Sequence, residues 1–261
     1  IGLIRHELGH LVEAVKCFEM AIAINPEHAD AHNNLGVALN ELGQTKEALN
    51  SYNQALLVNP DFEEVHFNLG KYFEAFGQTE KALNSYNQAL LINPDYANAH
   101  NSLGDILRRL GQVDEAFNCF VHALAIEPDN AYWHRNLSLI KNYKNYTESD
   151  TQFIRMQSLL SSGGLKKEER IHMCFALAKA YKDLGRKDEF FKALNEGNQL
   201  RKEEFNYSIE KDLTKHSAHR QLFMSVIKKP SQYEPLTVSP IFIVGMPRSG
   251  TSLVEQIICS H

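Results

Sequence analysis

The sequence predicts a mainly α-helical fold, a solenoid of stacked helix pairs followed by the first strand, loop and helix of an α/β domain. Two observations support this prediction. Proline recurs every 34 residues, at Pro26, Pro60, Pro94 and Pro128. A fixed period of this length is typical of a helical unit that buries its apolar face only against its neighbours. Near the end of the chain, four apolar residues at 241–244 precede a glycine-containing loop at 245–252 and a helical pattern.

The composition excludes several classes of protein. Of 261 residues, 43% are hydrophobic and 23% are charged, and the formal net charge of −5 gives no bulk electrostatic reason to bind nucleic acid. No apolar run approaches the roughly 18 to 20 residues that span a bilayer. Four widely spaced cysteines without a C-x-x-C pair predict reduced thiols, without zinc or disulfides. We therefore expect a cytoplasmic protein. Because the chain starts at Ile1 and stops at His261 inside an expected helix, we also expect both ends to be cut.

Two sets of glycines follow the same period. They are Gly2, Gly36, Gly70 and Gly104, and Gly9, Gly43, Gly77 and Gly111. The first set, with recurring alanines, allows two antiparallel helices to approach closely, and large rings fill the space between neighbouring repeats. These rings are Tyr52, Tyr86 and Phe120. The second set predicts left-handed residues that end each first helix, and each N-P or E-P pair ends the second.

This pattern resembles the tetratricopeptide repeat from Ile1 to about Pro128. Residues 44–60 recur almost unchanged at 78–94, which indicates internal duplication. The resemblance implies a right-handed superhelical stack over 1–146. Its units are a partial repeat at 1–28, full repeats at 29–62, 63–96 and 97–130, and a degenerate repeat at 131–146.

One polar row is a candidate binding surface. The first-helix positions that would face the hollow of the stack are Asn34, Asn68, Ser102 and Asn136. In repeat domains linked to sugar-transferring enzymes, such a row holds the backbone of an extended polypeptide, because an amide side chain both donates and accepts hydrogen bonds. The alternative is that the row is solvated and reflects duplication alone, since Ser102 interrupts it.

Histidine also recurs with this period, at His32, His66, His100 and His134. Equivalent atoms of stacked repeats lie on the order of 10 to 20 Å apart, too far for one metal ion. We expect these histidines to be packing residues.

The period weakens after Pro128. A first helix is predicted over 131–142, and Thr147-Glu148-Ser149-Asp150 resembles a capping box that opens a helix through Leu160. After a break at 161–164, a second repeat-like pair is predicted, with Gly185 between its helices. We expect 147–228 to be a helical connecting segment that ends in a helix over 208–228. A proline-punctuated linker at 229–239 follows.

The loop after the predicted strand has the pattern G-x-x-x-x-G-T-S. Its glycines let the backbone approach a ligand, and the amides of the following helix, with the hydroxyls of Ser249, Thr251 and Ser252, form a cradle for an anion such as phosphate. The glycine spacing is that of a Walker P-loop, but Thr251 stands where a nucleoside triphosphatase needs lysine, and the cation of the loop is Arg248. A glycine turn in an unrelated α/β domain is the alternative.

Residues 240–257, P-I-F-I-V-G-M-P-R-S-G-T-S-L-V-E-Q-I, resemble the 5′-phosphosulfate loop of sulfotransferases. The likeness is to the tyrosylprotein and bacterial repeat-linked branches. It implies that 3′-phosphoadenosine 5′-phosphosulfate (PAPS) is held at its 5′-phosphate by Arg248, Ser249, Gly250, Thr251 and Ser252. Arg248 would also act in catalysis by stabilising charge on the leaving oxygen. Residues 175–185 and 196–201 resemble the segment that joins repeats to catalytic domain in the bacterial branch, so 240–261 would begin that domain.

The function predicted from these resemblances is PAPS-dependent sulfuryl transfer without a metal ion. The repeat arm would recruit the acceptor, a polypeptide or another hydroxyl-bearing molecule, with no nucleic acid or membrane partner. The general base and the 3′-phosphate site are expected beyond His261, with Glu255 a poor substitute for the base, so we expect this chain alone to be inactive. The alternative is a repeat scaffold for protein–protein contacts without catalysis.

Overall fold

A computed structural model describes residues 1–145 and 149–205, with the isolated positions 210, 213–214, 217–218 and 221. Contacts group Ile1–Asn206 into one compact unit, and the fold described here is that of this unit. The regular elements of these residues are helices. The predicted linker 229–239 and the strand–loop–helix at 240–261 lie outside the described residues, as does most of the predicted helix 208–228.

Four helix pairs follow one another from the start of the chain. They are α1 (Gly2–Glu7) with α2 (Leu11–Ile24), α3 (Ala29–Glu41) with α4 (Thr45–Val58), α5 (Glu63–Ala75) with α6 (Thr79–Ile92), and α7 (Ala97–Arg109) with α8 (Val113–Ile126). The two helices of each pair pack against each other, and each second helix packs against the first helix of the next pair. The predicted mainly α solenoid is confirmed for these residues.

The stack continues with a modified unit. Helix α9 (Ala131–Ile140) is followed by a 3-10 turn (Tyr143–Asn145), α10 (Thr151–Ser161), α11 (Lys167–Asp183) and α12 (Lys187–Glu204). Helix α11 packs against both α9 and α12, while α10 packs mainly on α11. The predicted second helix pair is therefore present, and Gly185 between its helices has φ of 74°.

The predicted start of α10 is wrong by about one turn. The Asp150 side chain accepts a hydrogen bond from the Phe153 amide at 3.0 Å, so Asp150 is the N-cap and the helix begins at Thr151. The same carboxylate accepts from the buried Lys141 Nζ at 2.8 Å, which fixes it at this position. Thr147 and Glu148 lie outside the described residues.

Each repeat is closed by a ring packed on a glycine. The ring of Tyr52 in α4 lies against Gly36 in α3, and a Cβ built on Gly36 would be 2.6 Å from Tyr52 Cε1. The same contact joins Gly104 to Phe120, where the distance would be 2.9 Å. Tyr52 also belongs to a buried cluster with Val65 of the next repeat. The ring therefore fills space both within its own repeat and between neighbours, and no larger residue fits at the glycine.

Two further periodic features hold the turns. Gly43, Gly77 and Gly111 have φ of 77°, 67° and 81°, as predicted for residues that end the first helices. The ring Nε2 of each repeated histidine hydrogen-bonds the carbonyl oxygen of the proline six residues earlier. The pairs are His32–Pro26, His66–Pro60, His100–Pro94 and His134–Pro128, at 2.9, 3.0, 2.8 and 2.8 Å. These histidines tie the inter-repeat turns to the next helix.

Two negative findings hold for the described part of the chain. No group of three or more His, Cys, Asp or Glu side chains there could hold a metal ion. Within the same residues, no helix is long and apolar enough to cross a membrane.

Alanine at Gly70 tests the glycine–ring contact. Inside a helix, replacing glycine by alanine normally stabilises by about 0.5–1 kcal/mol, but here the new Cβ would overlap the Tyr86 ring. Because overpacking costs about 1–3 kcal/mol, we expect Gly70→Ala to lower the urea midpoint of unfolding.

Gly164→Ala is the matched control for this substitution. A Cβ at Gly164 would meet only Ser162 Oγ, at 4.0 Å. We expect this variant to leave the urea midpoint unchanged or to raise it. A higher midpoint for Gly70→Ala than for the unsubstituted chain would show that the ring does not require glycine.

Candidate functional site

The described residues contain one of the two predicted sites. The row Asn34, Asn68, Ser102 and Asn136 lies at equivalent positions of α3, α5, α7 and α9. The predicted phosphate-loop residues Arg248, Ser249, Gly250, Thr251 and Ser252 lie outside the described residues.

Asparagine bridges connect the first helices of successive repeats. Asn68 Nδ2 donates to Asn33 Oδ1 at 3.0 Å, and Asn136 Nδ2 donates to Asn101 Oδ1 at 3.0 Å. Both acceptor side chains are buried, and Asn33 is only 1% exposed. A buried amide is costly unless it is hydrogen-bonded, so each bridge stabilises the stack. The row has a structural role at Asn68 and Asn136.

The break in the row at Ser102 has a physical explanation. Ser102 lies 35 residues after Phe67, as Asn68 lies 35 residues after Asn33, and a phenyl ring offers no acceptor for an amide. The Phe67 ring instead packs against Tyr86 and Tyr96, with ring centroids 5.7 and 5.1 Å apart. An asparagine at 102 would lack its partner, so amide bridges alternate with an aromatic contact.

The Ser102 hydroxyl takes part in a different network. It lies beside the Tyr86 hydroxyl, which donates to Glu74 Oε2 at 2.9 Å. Burial raises the pKa of Tyr86 well above its ordinary value, and the nearby Glu74 carboxylate raises it further. Tyr86 therefore remains a neutral donor. Ser102 is a polar member of the row that takes part in no amide bridge.

Sequence reasoning missed Asn33 and Asn101. They occur in alternate repeats only, 68 residues apart, with Phe67 between them. A search for a doubled period would have found them. The bridge leaves part of the Asn68 amide for a ligand, because a primary amide has two N–H donors and an acceptor oxygen and the bridge uses one donor. Asn136 is only 5% exposed, so a ligand has little access to its amide.

Comparisons with protein families agree with this geometry. The TPR repeat family matches residues 2–43 and 72–111, and tetratricopeptide repeat families match 29–62, 97–130 and 171–204. The chain contains tetratricopeptide repeats. The last of these matches places a tetratricopeptide repeat over α11 and α12. The sulfotransferase family matches residues 240–261.

A relative from Aquifex aeolicus (strain VF5), described as an uncharacterized protein, is 34% identical over 126 residues. The match covers 45% of this chain but only 16% of that protein. It therefore relates a short stretch of the two chains and says nothing about the remainder of that larger protein.

Solved structures show the same fold as the tetratricopeptide repeats described here. Pseudomonas aeruginosa pilF matches with a TM-score of 0.60 at 21% identity, over 83% of this chain and 94% of its own. PilW, a type IV pilus biogenesis factor, matches with a TM-score of 0.60 at 20% identity, over 82% and 94%. YrrB, a TPR protein with an unusual peptide-binding site, matches with a TM-score of 0.53 at 15% identity, over 71% and 93%.

The Asn136–Asn101 bridge can be tested by stability measurements. Asn136→Ala removes the donor and leaves the buried Asn101 oxygen unpaired, which costs about 1–3 kcal/mol in the free energy of unfolding. Asn34 makes no such bridge within the described residues, so we expect Asn34→Ala to stay within about 0.5 kcal/mol of the unsubstituted chain. Urea unfolding followed by circular dichroism measures both.

The double variant Asn101→Ala/Asn136→Ala completes this test. Removing both partners leaves no unpaired amide, so we expect it to be more stable than the sum of the two single losses predicts. Strict additivity of the two losses would mean that the amides do not interact.

The pH dependence of stability tests the environment of His134. Its Nε2 is bonded to Pro128, and its Nδ1 is buried without a partner. Burial lowers the pKa of His134 below its ordinary value of 6.5, although the Pro128 carbonyl and Asp129 oppose the shift. As the pH falls through about 6.5, the unfolded chain binds a proton that the folded chain does not, so the free energy of unfolding falls.

We expect His134→Gln to remove this contribution. The glutamine amide can still donate to the Pro128 carbonyl, but it does not titrate. Chemical unfolding is measured between pH 8 and pH 5. As the pH falls, the free energy of unfolding of the unsubstituted chain should fall relative to that of the variant. Parallel stability curves over this range would contradict the assignment.

Proposed function

We propose that this chain is the repeat arm and the 5′-phosphosulfate loop of a PAPS-dependent sulfotransferase, and that the arm recruits a polypeptide acceptor. The observation that carries the proposal is the sulfotransferase-family match at 240–261. This match covers the strand, loop and helix pattern of the sequence, including P-R-S-G-T-S at 247–252.

The donor groups of the loop suit a single terminal phosphate. Ser249, Thr251 and Ser252 supply hydroxyls, the following helix supplies amides, and Arg248 supplies one charged fork. The loop lacks the lysine that binds the β- and γ-phosphates in P-loop nucleoside triphosphatases, which argues against ATP and GTP. When bound, PAPS supplies the sulfuryl group that is transferred to an alcohol or phenol.

Arg248 has the central role in this proposal. In an in-line transfer, negative charge builds on the phosphate oxygen that leaves the sulfur, and a guanidinium placed beside it stabilises that charge more in the transition state than in the ground state. The amides at the helix N-terminus act on the same charge. Metal ions are not needed for this stabilisation.

The asparagine row supports a polypeptide as the acceptor. An extended chain presents alternating N–H and C=O groups, and amide side chains repeated along a stack can pair with both. The bridge to Asn33 holds the partly exposed amide of Asn68 in one orientation. Less side-chain freedom is then lost on binding, which favours affinity. YrrB, with the same fold, is a TPR protein with a peptide-binding site.

A second candidate function is a repeat scaffold without catalysis. It is favoured by the extent of the likeness to pilF and PilW, 83% and 82% of this chain, and by the helical repeats that make up the described unit. On this alternative the arm would bind proteins and the loop would have no turnover. The two candidates differ in ligand binding at 245–252.

The test is ligand binding by the full-length protein. We expect adenosine 3′,5′-bisphosphate to bind in excess EDTA and ATP to bind much more weakly, because the loop holds one phosphate and needs no magnesium. Isothermal titration calorimetry measures both. Tight, magnesium-dependent binding of ATP without binding of the bisphosphate would contradict the proposal and indicate that the loop is that of a nucleoside triphosphatase.

Arg248→Ala should reduce turnover strongly. If the guanidinium acts like one donor of an oxyanion site, its loss costs about 2–4 kcal/mol of transition-state stabilisation. Arg109→Gln is the charge-matched control, because Arg109 pairs with Glu74 in the repeat arm. Equal turnover of the Arg248→Ala variant and this control would exclude the catalytic role.

A further inference from the structure

A cavity of about 400 Å³ lies between α8, α9 and α10. Most of its wall is apolar and belongs to α8, to the turn after it and to α9. The apolar lining residues are Phe117, Val121, Leu124, Ala125, Pro128 and Leu137. Although Val121 is an apolar residue, it is 41% exposed. Small-molecule sites have this range of volume and this kind of wall.

The cavity lies where two helix ends are shorter than in the preceding helix pair. Helix α7 ends at Arg109 and α8 begins at Val113, so the 34-residue period places the corresponding ends at 143 and 147. Helix α9 instead ends at Ile140, and α10 begins at Thr151. About one turn is therefore missing from each helix. Both shortened ends border the cavity, through Lys141 and Thr151.

The residues at these ends also differ in kind from those of the preceding pair. Lys141 and Thr151 follow Leu107 and Phe117 by 34 residues. Leu107 and Phe117 pack against a buried apolar cluster. In contrast, the Lys141 ammonium group binds the Asp150 carboxylate at 2.8 Å, and Thr151 is exposed. Two apolar side chains that fill space in one repeat are thus replaced by polar ones in the next, which leaves the α8 wall uncovered.

The charges at the cavity are balanced. Lys141 and Arg155 are among the lining residues, and each has a carboxylate partner, Asp150 for the lysine and Asp129 for the arginine. The Gln152 side chain, which also lines the cavity, donates to a backbone carbonyl. An ion that entered would lose its hydration without meeting a net opposite charge, so this lining favours an uncharged ligand.

Two polar groups on α10 are available to orient such a ligand. The Thr151 hydroxyl has no hydrogen-bond partner in the described part of the chain. Arg155 uses Nε and Nη2 for Asp129, and its Nη1 donors have no partner among the same residues. A hydroxyl and a guanidinium N–H both donate to an uncharged oxygen, such as that of a ketone or an alcohol.

We propose that this cavity binds a small uncharged molecule with an apolar body and one carbonyl or hydroxyl oxygen. The body packs on the α8 wall, and the oxygen accepts from Thr151 and Arg155 on α10. Burial of the apolar body supplies most of the affinity, because a hydrogen bond that replaces one to water contributes less. The asparagine row is not part of this lining, so the cavity is a second binding function, separate from recruitment of a polypeptide.

The test uses prodan, an uncharged naphthalene dye with one ketone oxygen, and the 261-residue chain. The emission of prodan moves to shorter wavelength when the dye leaves water, so a fluorescence titration measures its affinity. We expect saturable binding. Thr151→Phe places a ring in the cavity and should weaken binding by about tenfold. Ser158→Phe adds the same ring at an exposed position of α10 outside the cavity lining, and it should leave the affinity unchanged.

Two further variants keep the test independent of folding. Leucine stands at the equivalent positions Leu57 and Leu91, so Ala125→Leu is compatible with the repeat, and it fills part of the cavity. We expect it to weaken prodan binding. Thr151→Val keeps the shape of the side chain but removes the hydroxyl donor, and it should weaken binding by about two- to tenfold. Circular dichroism checks that each variant retains its helices.

The anionic dye anilinonaphthalene sulfonate tests the preference for an uncharged ligand. At a concentration equal to that of prodan, we expect it not to displace prodan from the chain. Displacement under these conditions, absence of saturable prodan binding, or equal affinities of Thr151→Phe and Ser158→Phe would each overturn the proposal. Unchanged affinity in Thr151→Val would overturn the placement of the ligand oxygen on α10, and unchanged affinity in Ala125→Leu would overturn the placement of its body on α8.

Discussion

The stack depends on one steric constraint, the contact in its first four helix pairs between a glycine of the first helix and a ring of the second helix. The rings of Tyr52, Tyr86 and Phe120 are almost completely buried, and each lies where a glycine side chain is missing. Close packing of this kind fixes the distance between the two helices, because a gap would forfeit dispersion contacts and a methyl group would overlap the ring. Each of these four pairs therefore has a similar distance between its helices, and equivalent residues fall into rows.

Rows of equivalent residues give the stack a surface on which the same chemical groups recur at a regular interval. A side chain at one position of the repeat recurs at a fixed interval along the stack, so a ligand with its own repeat, such as an extended polypeptide backbone, can meet several of them at once. The same regularity makes departures informative. Arg135 breaks the pattern of Asn33 and Asn101, and it is also the arginine for which the described residues give no anion.

The fold could be predicted from local rules, whereas much of the candidate site could not. Proline and glycine act within a few residues of themselves, so Gly43 at positive φ and the turn after each N-P or E-P pair follow from the sequence alone. The amide bridges join α3 to α5 and α7 to α9, and their partners become evident only when the helices are placed side by side. The start of α10 was missed for the same reason, because the buried Lys141 that fixes Asp150 belongs to another element. The unpaired state of Arg135 likewise depends on what surrounds it in three dimensions.

The alternation of polar bridges with an aromatic contact has a mechanical consequence. A hydrogen bond between two amides holds over a narrow range of distance and angle, so α3 with α5, and α7 with α9, move together. The Phe67 and Tyr96 rings, tilted by 53° with centroids 5.1 Å apart, tolerate small shifts at lower cost, because dispersion attraction changes gradually with distance. Between α5 and α7 the place of the amide bridge is taken by this aromatic contact and by the ion pair of Arg109 with Glu74. Salt screens a partly exposed ion pair but not a hydrogen bond between neutral amides, so the polar link between α5 and α7 weakens as the ionic strength rises while the amide bridges persist.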